Sequence, residues 1–270
     1  MVSYSIQSRG GIRNFSLTTK IIFLNVLFYF VSLILLAIYG EEFFLNNLAL
    51  TPSLILSGKS LWTFITSIFV HGSFFHLFAN MFSLYFVGGF LEKLIGKKRF
   101  FWVYFISGIF GGIFYILASM FFGNLLVPAV GASGAIFGLL GVLAVLVPYS
   151  RIYLIAGPLI LIVLEVLLDG ILPANLLGVV TVIFNILIIL MIFSLFSFRS
   201  SFRKIALPIE LPMWSLPFVA IIPLSIIGLF VSLPIGNSAH FGGLVVGVLY
   251  GFYLRKKYPR KTNQIRRAFK

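Results

Sequence analysis

Residues 237–257 read NSAHFGGLVVGVLYGFYLRKK, and this stretch decides the fold. An apolar run ends on three basic residues, and Gly243, Gly247 and Gly251 recur every four positions. Glycines four apart make a smooth stripe on which a second helix can approach closely within a membrane. His240 lies three residues before Gly243, so it faces the same seam. The surrounding segment, residues 211–254, carries no Asp, Glu, Lys or Arg, and neither do residues 21–39. Runs of this length read as membrane-spanning helices, because about 20 residues cross a hydrocarbon core of about 30 Å.

The rest of the chain follows this pattern. It is 270 residues long, 60% hydrophobic and 10% charged, where a soluble domain carries about 25% charged residues. Spans are expected at 19–40, 75–94, 100–122, 132–148, 152–168, 176–197, 211–232 and 239–255. The runs lack period-two alternation, which argues against a β-barrel. Residues 21–39 are too long for the apolar region of a cleavable signal, so they are expected to be retained as the first span. With no cysteine, disulfide and thiol chemistry are excluded.

The net charge of +14 allows nucleic acid as a partner, but its distribution points elsewhere. The cations are Arg9, Arg13, Lys20, Lys93, Lys97, Lys98, Arg99, Arg151, Arg199, Arg203, Lys204, and the eight between Arg255 and Lys270. With eight spans, all of these fall on one side, and only Lys59 falls on the other. Short loops rich in Lys and Arg stay inside, so both termini are expected in the cytoplasm of a multi-pass cell-membrane protein. The basic inner rim would face anionic lipid headgroups, and nucleic-acid binding needs no separate invocation. Residues 1–18 form the cytoplasmic N-terminal segment, 19–255 the membrane domain, and 256–270 a basic tail. Residues 41–74 are too apolar for a free aqueous loop, and their Trp62 suits the membrane interface.

Polar groups within spans are costly and mark function. Gly131-Ala132-Ser133-Gly134 opens the fourth span after Pro128. Gly131 permits a sharp turn, and Ser133 then stands at a helix N-terminus that favours developing negative charge. A serine there is also an ordinary helix cap. Gly134, Gly138 and Gly141 give this span a small-residue surface matching that around Gly243 and Gly247. Packing the two together brings Ser133 to His240, as a nucleophile needs its base. Phe137, four residues on, shares the Ser133 face and could stack on the His240 ring. His76 and Asn80 also share a helix face and can both donate hydrogen bonds to an oxyanion. His71 is expected to hold the preceding loop. A metal site at the two histidines lacks a nearby carboxylate or thiol and the His-x3-His spacing. Glu92 is expected to accept hydrogen bonds from a neighbouring helix or loop. No carboxylate clearly completes a triad, so a Ser-His dyad is the simpler arrangement.

These motifs, in this order, resemble the rhomboid family of intramembrane serine proteases. The resemblance rests on His71-x4-His76-x3-Asn80, Gly88-Gly89-x2-Glu92-Lys93, Gly131-Ala132-Ser133-Gly134 and Ala239-His240-x2-Gly243-x3-Gly247. It implies an all-α polytopic fold with a six-helix core. It implies that Ser133 attacks the scissile carbonyl, that His240 takes its proton, and that His76, Asn80 and the Ser133 amide hold the oxyanion. Substrates would be transmembrane helices cut near the outer face, with no metal or other cofactor. A catalytically silent relative that binds membrane clients is the alternative; a transporter is a more distant one. Two features depart from the family pattern. Trp62-Thr63 stands where Trp-Arg is usual, and residues 149–238 are long enough for three helices between the serine and histidine helices. Residues 152–197 are therefore expected to be an inserted helical pair.

Overall fold

The computed structural model describes residues 15–169, 171–194, 204–227 and 236–269. The N-terminal segment up to residue 14 and the ends of two expected spans, 195–197 and 228–232, lie outside the described residues. The protein is an all-helical polytopic membrane protein. The long helices are α1 (Leu17–Asn47), α4 (Phe74–Ser83), α5 (Gly89–Ile95), α6 (Lys97–Phe122), α7 (Ser133–Leu146), α8 (Ala156–Asp169), α9 (Ala174–Ser194), α10 (Leu216–Ile227) and α11 (Asn237–Lys257). Short helices α2 (Pro52–Leu56) and α3 (Thr63–Thr66) sit in the first loop, and α12 (Pro259–Ala268) follows α11. A π-helical turn, Leu84–Gly88, joins α4 to α5. By length and composition α1, the α4–α5 unit, α6 and α9 each suffice to cross a bilayer.

Local chemistry sets the helix ends. Ser16 caps α1 by accepting from the Thr19 amide at 3.0 Å, and Ser73 caps α4 by accepting from the His76 amide at 3.1 Å. Gly96 at φ 84° turns the chain between α5 and α6, a conformation open to glycine at little cost. The centre of the bundle is α7, with every residue but Ser133 and Ala144 buried. Its closest partners are α11 and α6.

The expectation of spans beginning at residues 152 and 211 is corrected. Residues Arg151–Ile155 form strand β1 and Pro208–Pro212 form strand β2, paired antiparallel from Arg151↔Pro212 to Ile155↔Pro208. The helix of the inserted pair therefore starts at Ala156. Both runs are short and apolar, and such runs do not reveal their period. Pro208 and Pro212 lack an amide hydrogen and stand at the two ends of their strand, where proline is tolerated. The ribbon ties together the two ends of the α8–α9 segment. α8 and α9 pack on each other and against the turn at Lys204–Ala206, and α8 also packs against β2. Many of the large side chains of α9 are exposed: Val179, Val182, Ile186 and Leu190 are each more than half accessible, as suits a lipid-facing helix. The tail expected at 256–270 also contains a helix, α12, and Phe269 just beyond its end packs edge-on against Phe90 of α5 at 5.3 Å.

Candidate active site

The site lies where the starts of α7 and α11 meet α4. The start of α7 is fixed by a turn that only glycine makes easily. Gly131 has φ +116°, and a Cβ there would lie 2.7 Å from both Nε2 and Cε1 of His76 and 3.7 Å from Nδ2 of Asn80. The missing side chain thus lets the His76 imidazole press on the backbone just before Ser133. The turn is held from the other side, where the Gly131 amide donates to Ser67 O at 2.8 Å. Leu50 and Ala129 exchange backbone hydrogen bonds at 2.9 and 3.0 Å, pinning the approach to the first loop.

Ser133 is the first residue of α7. The first amide to find an intrahelical acceptor is that of Ile136, which donates to Ala132 O at 3.0 Å. The amides of Ser133, Gly134 and Ala135 therefore precede the helical ladder, at the positive end of the helix dipole. α7 has 14 residues, about 21 Å at the usual rise. That is less than the hydrocarbon thickness, so a helix of this length leaves one end within the apolar layer.

α11 reaches Ser133 because its glycines and those of α7 replace side chains with backbone contact. A Cβ on Gly243 would collide with Gly134 O, and one on Gly247 with Gly138 O. A Cβ on Gly141 would approach Leu244 O at 2.7 Å. This seam places His240 Nε2 2.8 Å from Ser133 Oγ. Phe137 stacks on the His240 ring at 4.4 Å between centroids and 16° between planes. His240 is buried, and among the described residues its Nδ1 has no hydrogen-bond partner. The imidazole is thus oriented by stacking and by helix packing.

On α4, the Asn80 side chain is buried and donates from Nδ2 to His76 O at 3.0 Å. An amide has two hydrogens, so one is left to point elsewhere. His71 precedes α4 and is 2% exposed; its ring meets that of His76 edge-on at 5.0 Å. Burial, reinforced by the His76 ring, lowers the His71 pKa to about 3, so it is neutral at ordinary pH. Among the described residues no three His, Asp or Glu side chains cluster as metal ligands do.

Glu92 lies apart from these groups. Its carboxylate accepts from the Leu17 amide at 2.9 Å, the Thr18 amide at 2.8 Å and the Thr18 hydroxyl at 2.7 Å. It thereby caps α1 and locks it to α5. Thr63 is fully buried, and its hydroxyl donates to Ser60 O at 2.7 Å. The Trp62 indole donates to Asn47 O at 3.0 Å. Short bonds of this kind close the first loop against the end of α1.

Sequence reasoning passed over α6. Gly111 is so close to Ala239 O and Gly134 that a Cβ would stand 2.9 Å from the carbonyl. Ser107 occupies the space beside Gly138 that a side chain there would need. The run Gly108-x2-Gly111-Gly112 carries the same small-residue signal as the other two helices.

The Rhomboid domain model matches residues 58–175 and 169–257. The chain belongs to the rhomboid family. RHOMBOID-like protein 1 of Arabidopsis thaliana is 45% identical over 93 residues, 34% of this chain and 23% of that protein. The putative rhomboid protease YdcA of Bacillus subtilis (strain 168) is 44% identical over 82 residues, 30% of this chain and 39% of that protein. The inactive RHOMBOID-like protein 8 of Arabidopsis thaliana is 38% identical over 87 residues, 32% of this chain and 23% of that protein. The chain thus matches well under half the length of these curated relatives. This rhomboid shares its similarity with protease-named and inactive members alike.

Proposed function

We propose that this rhomboid is a serine endopeptidase that cuts transmembrane substrates within the membrane by a Ser133–His240 dyad. The observation that carries the reading is the 2.8 Å contact between Ser133 Oγ and His240 Nε2, made by two helices held together through bare backbone. Nε2 takes the hydroxyl proton as Oγ adds to the scissile carbonyl. The oxyanion forms beside His76, Asn80 and the Ser133 amide, which are the donors nearest the turn. Collapse breaks the C–N bond, and the proton on His240 passes to the leaving amine. Water then attacks the acyl-enzyme with His240 again as base, restoring the serine.

The short α7 supports a site recessed below the outer face, with both termini cytoplasmic and the basic rim beside anionic headgroups of the cell membrane. The family model matches the chain in two stretches that overlap at 169–175, which supports reading 152–197 as an inserted pair whose first helix starts at Ala156. An escort role without catalysis is the second reading, favoured by the inactive relative. Labelling of purified protein by a fluorophosphonate probe separates the two. Wild type labels, Ser133→Ala does not, and both Ser133→Ala and His240→Ala lose cleavage of a reporter transmembrane substrate. Absence of labelling on folded wild type removes the protease reading.

A further inference from the structure

An open cleft lies at the opposite end of the bundle from Ser133. α1 packs mainly on α4 and α5, whereas α6 packs mainly on α7 and α11. Their first turns therefore diverge and leave a cleft of about 360 Å³ lined by Phe15, Leu17, Lys20, Lys97, Lys98 and Phe101. Three lining residues are cations and the other three apolar. Among the described residues none of the three lysines joins an ion pair. The carboxylate of Glu92 on the adjoining helix is committed to Leu17 and Thr18.

We propose that this cleft binds the phosphate headgroup of an anionic phospholipid, with Lys20, Lys97 and Lys98 around the phosphate. The lining supports a lipid over a free ion. A hydrated phosphate has nothing to place against Phe15, Leu17 and Phe101. A phospholipid sets its phosphate on the ammonium groups and the start of its acyl chains on the rings. One turn further along the same two helices from Lys20 and Lys98, Phe23 and Trp102 are 66% and 52% exposed and offer apolar surface for those chains. The lysines are long enough to reach the headgroup layer while their stems cover apolar surface. Because the cleft joins the start of α1 to the start of α6, a bound lipid bridges two helices that otherwise touch little.

This inference rests on the basic rim facing the cytoplasmic leaflet but not on proteolysis. The test is native mass spectrometry of full-length protein in detergent supplied with phosphatidylglycerol. Wild type is expected to retain one lipid that the triple variant Lys20→Gln/Lys97→Gln/Lys98→Gln loses, with affinity lower by about tenfold or more. A control, Arg260→Gln/Arg266→Gln/Arg267→Gln on α12, removes equal charge and is expected to keep it. Equal retention by wild type and the triple variant overturns the proposal, as does equal loss in the control. Equal retention of phosphatidylcholine overturns it too, and so does displacement of the lipid by millimolar inorganic phosphate. An unchanged thermal-unfolding midpoint of the triple variant shows that it is folded. Orientation is read separately, from maleimide access to Lys59→Cys and Lys256→Cys, so its failure is told apart from failure of the site.

Discussion

The α6–α7–α11 trio and the α8–α9 pair are both apolar helices in one chain, yet they are put together by opposite means. The trio meets through glycine. A Cβ on Gly243 or Gly247 of α11 would run into Gly134 O or Gly138 O of α7, one on Gly141 would meet Leu244 O at 2.7 Å, and one on Gly138 would run into Ser107 of α6. In the pair no backbone of one helix meets a glycine of the other among the described residues: Gly157 of α8 lies against the flexible Met191 side chain of α9, and Gly178 of α9 has open space where a Cβ would go. In the trio, backbone position determines where Ser133 and His240 stand, and a small shift in either helix would part their 2.8 Å contact. In the pair, the one side-chain hydrogen bond between the helices is Thr181 Oγ1 to Glu165 at 2.7 Å, among the described residues. A glycine seam thus marks where position matters to a fraction of an ångström. A side-chain seam marks where burial of surface is enough.

The largest effect should come from moving one side chain between these environments. Gly247→Leu drives a side chain into Gly138 O, a backbone atom that cannot yield cheaply. Overpacking of this kind costs about 3 kcal/mol or more, and thermal unfolding followed by loss of probe labelling should show it. Gly178→Leu should change stability by no more than about 0.5 kcal/mol. Equal effects at the two positions would erase the contrast.

Next in size is the clasp on α1. Glu92→Ala removes an acceptor serving two amides and a hydroxyl. Buried donors left without a partner cost about 1–3 kcal/mol. The midpoint of thermal inactivation should fall, while labelling at low temperature persists because Ser133 and His240 are not touched. Phe137→Leu should do the converse. The ring stack is worth about 1 kcal/mol, so cleavage should drop about fivefold in kcat/KM with little loss of stability.

The glycine seam was legible because its signal is periodic and local. Gly243, Gly247 and Gly251 announce the close face, and His240 lies on it by spacing alone. His76 and Asn80 were legible for the same reason, being one turn apart. What escaped is what depends on distant partners. Glu92 is recognisable as a costly buried acid, but its partners Leu17 and Thr18 lie 75 and 74 residues away. The β1–β2 ribbon escaped because Arg-Ile-Tyr-Leu-Ile and Pro-Ile-Glu-Leu-Pro adjoin long apolar runs and read as their continuation. Helix α12 is so rich in charge that it reads as a solvated tail. Thr262, Ile265 and Phe269 are nevertheless spaced i, i+3, i+7: Thr262 is buried, and Ile265 and Phe269 pack on the bundle core.

The smallest effects should come from the polar contacts of the inserted segment, and they test whether it is held as loosely as its packing implies. Arg151 and Glu210 form an ion pair at 3.1 Å with side chains 74% and 38% accessible. Such exposed pairs contribute from nothing to about 1 kcal/mol. The ribbon it decorates is held by the backbone ladder from residue 151 to 155, which survives Arg151→Gln. Thr181→Val removes a bond of a kind averaging about 0.6 kcal/mol within membranes. The double variant should therefore lose no more than about 1.5 kcal/mol, with fluorophosphonate labelling of Ser133 unchanged. A fall in labelling rate at unchanged stability would mean that the ribbon and the pair transmit their position to α7, which Pro148 and Ser150 join through backbone bonds to Trp214 and Met213. The pair would then belong to the site's support, and the division between precise and permissive packing would run through α9 rather than between the two regions.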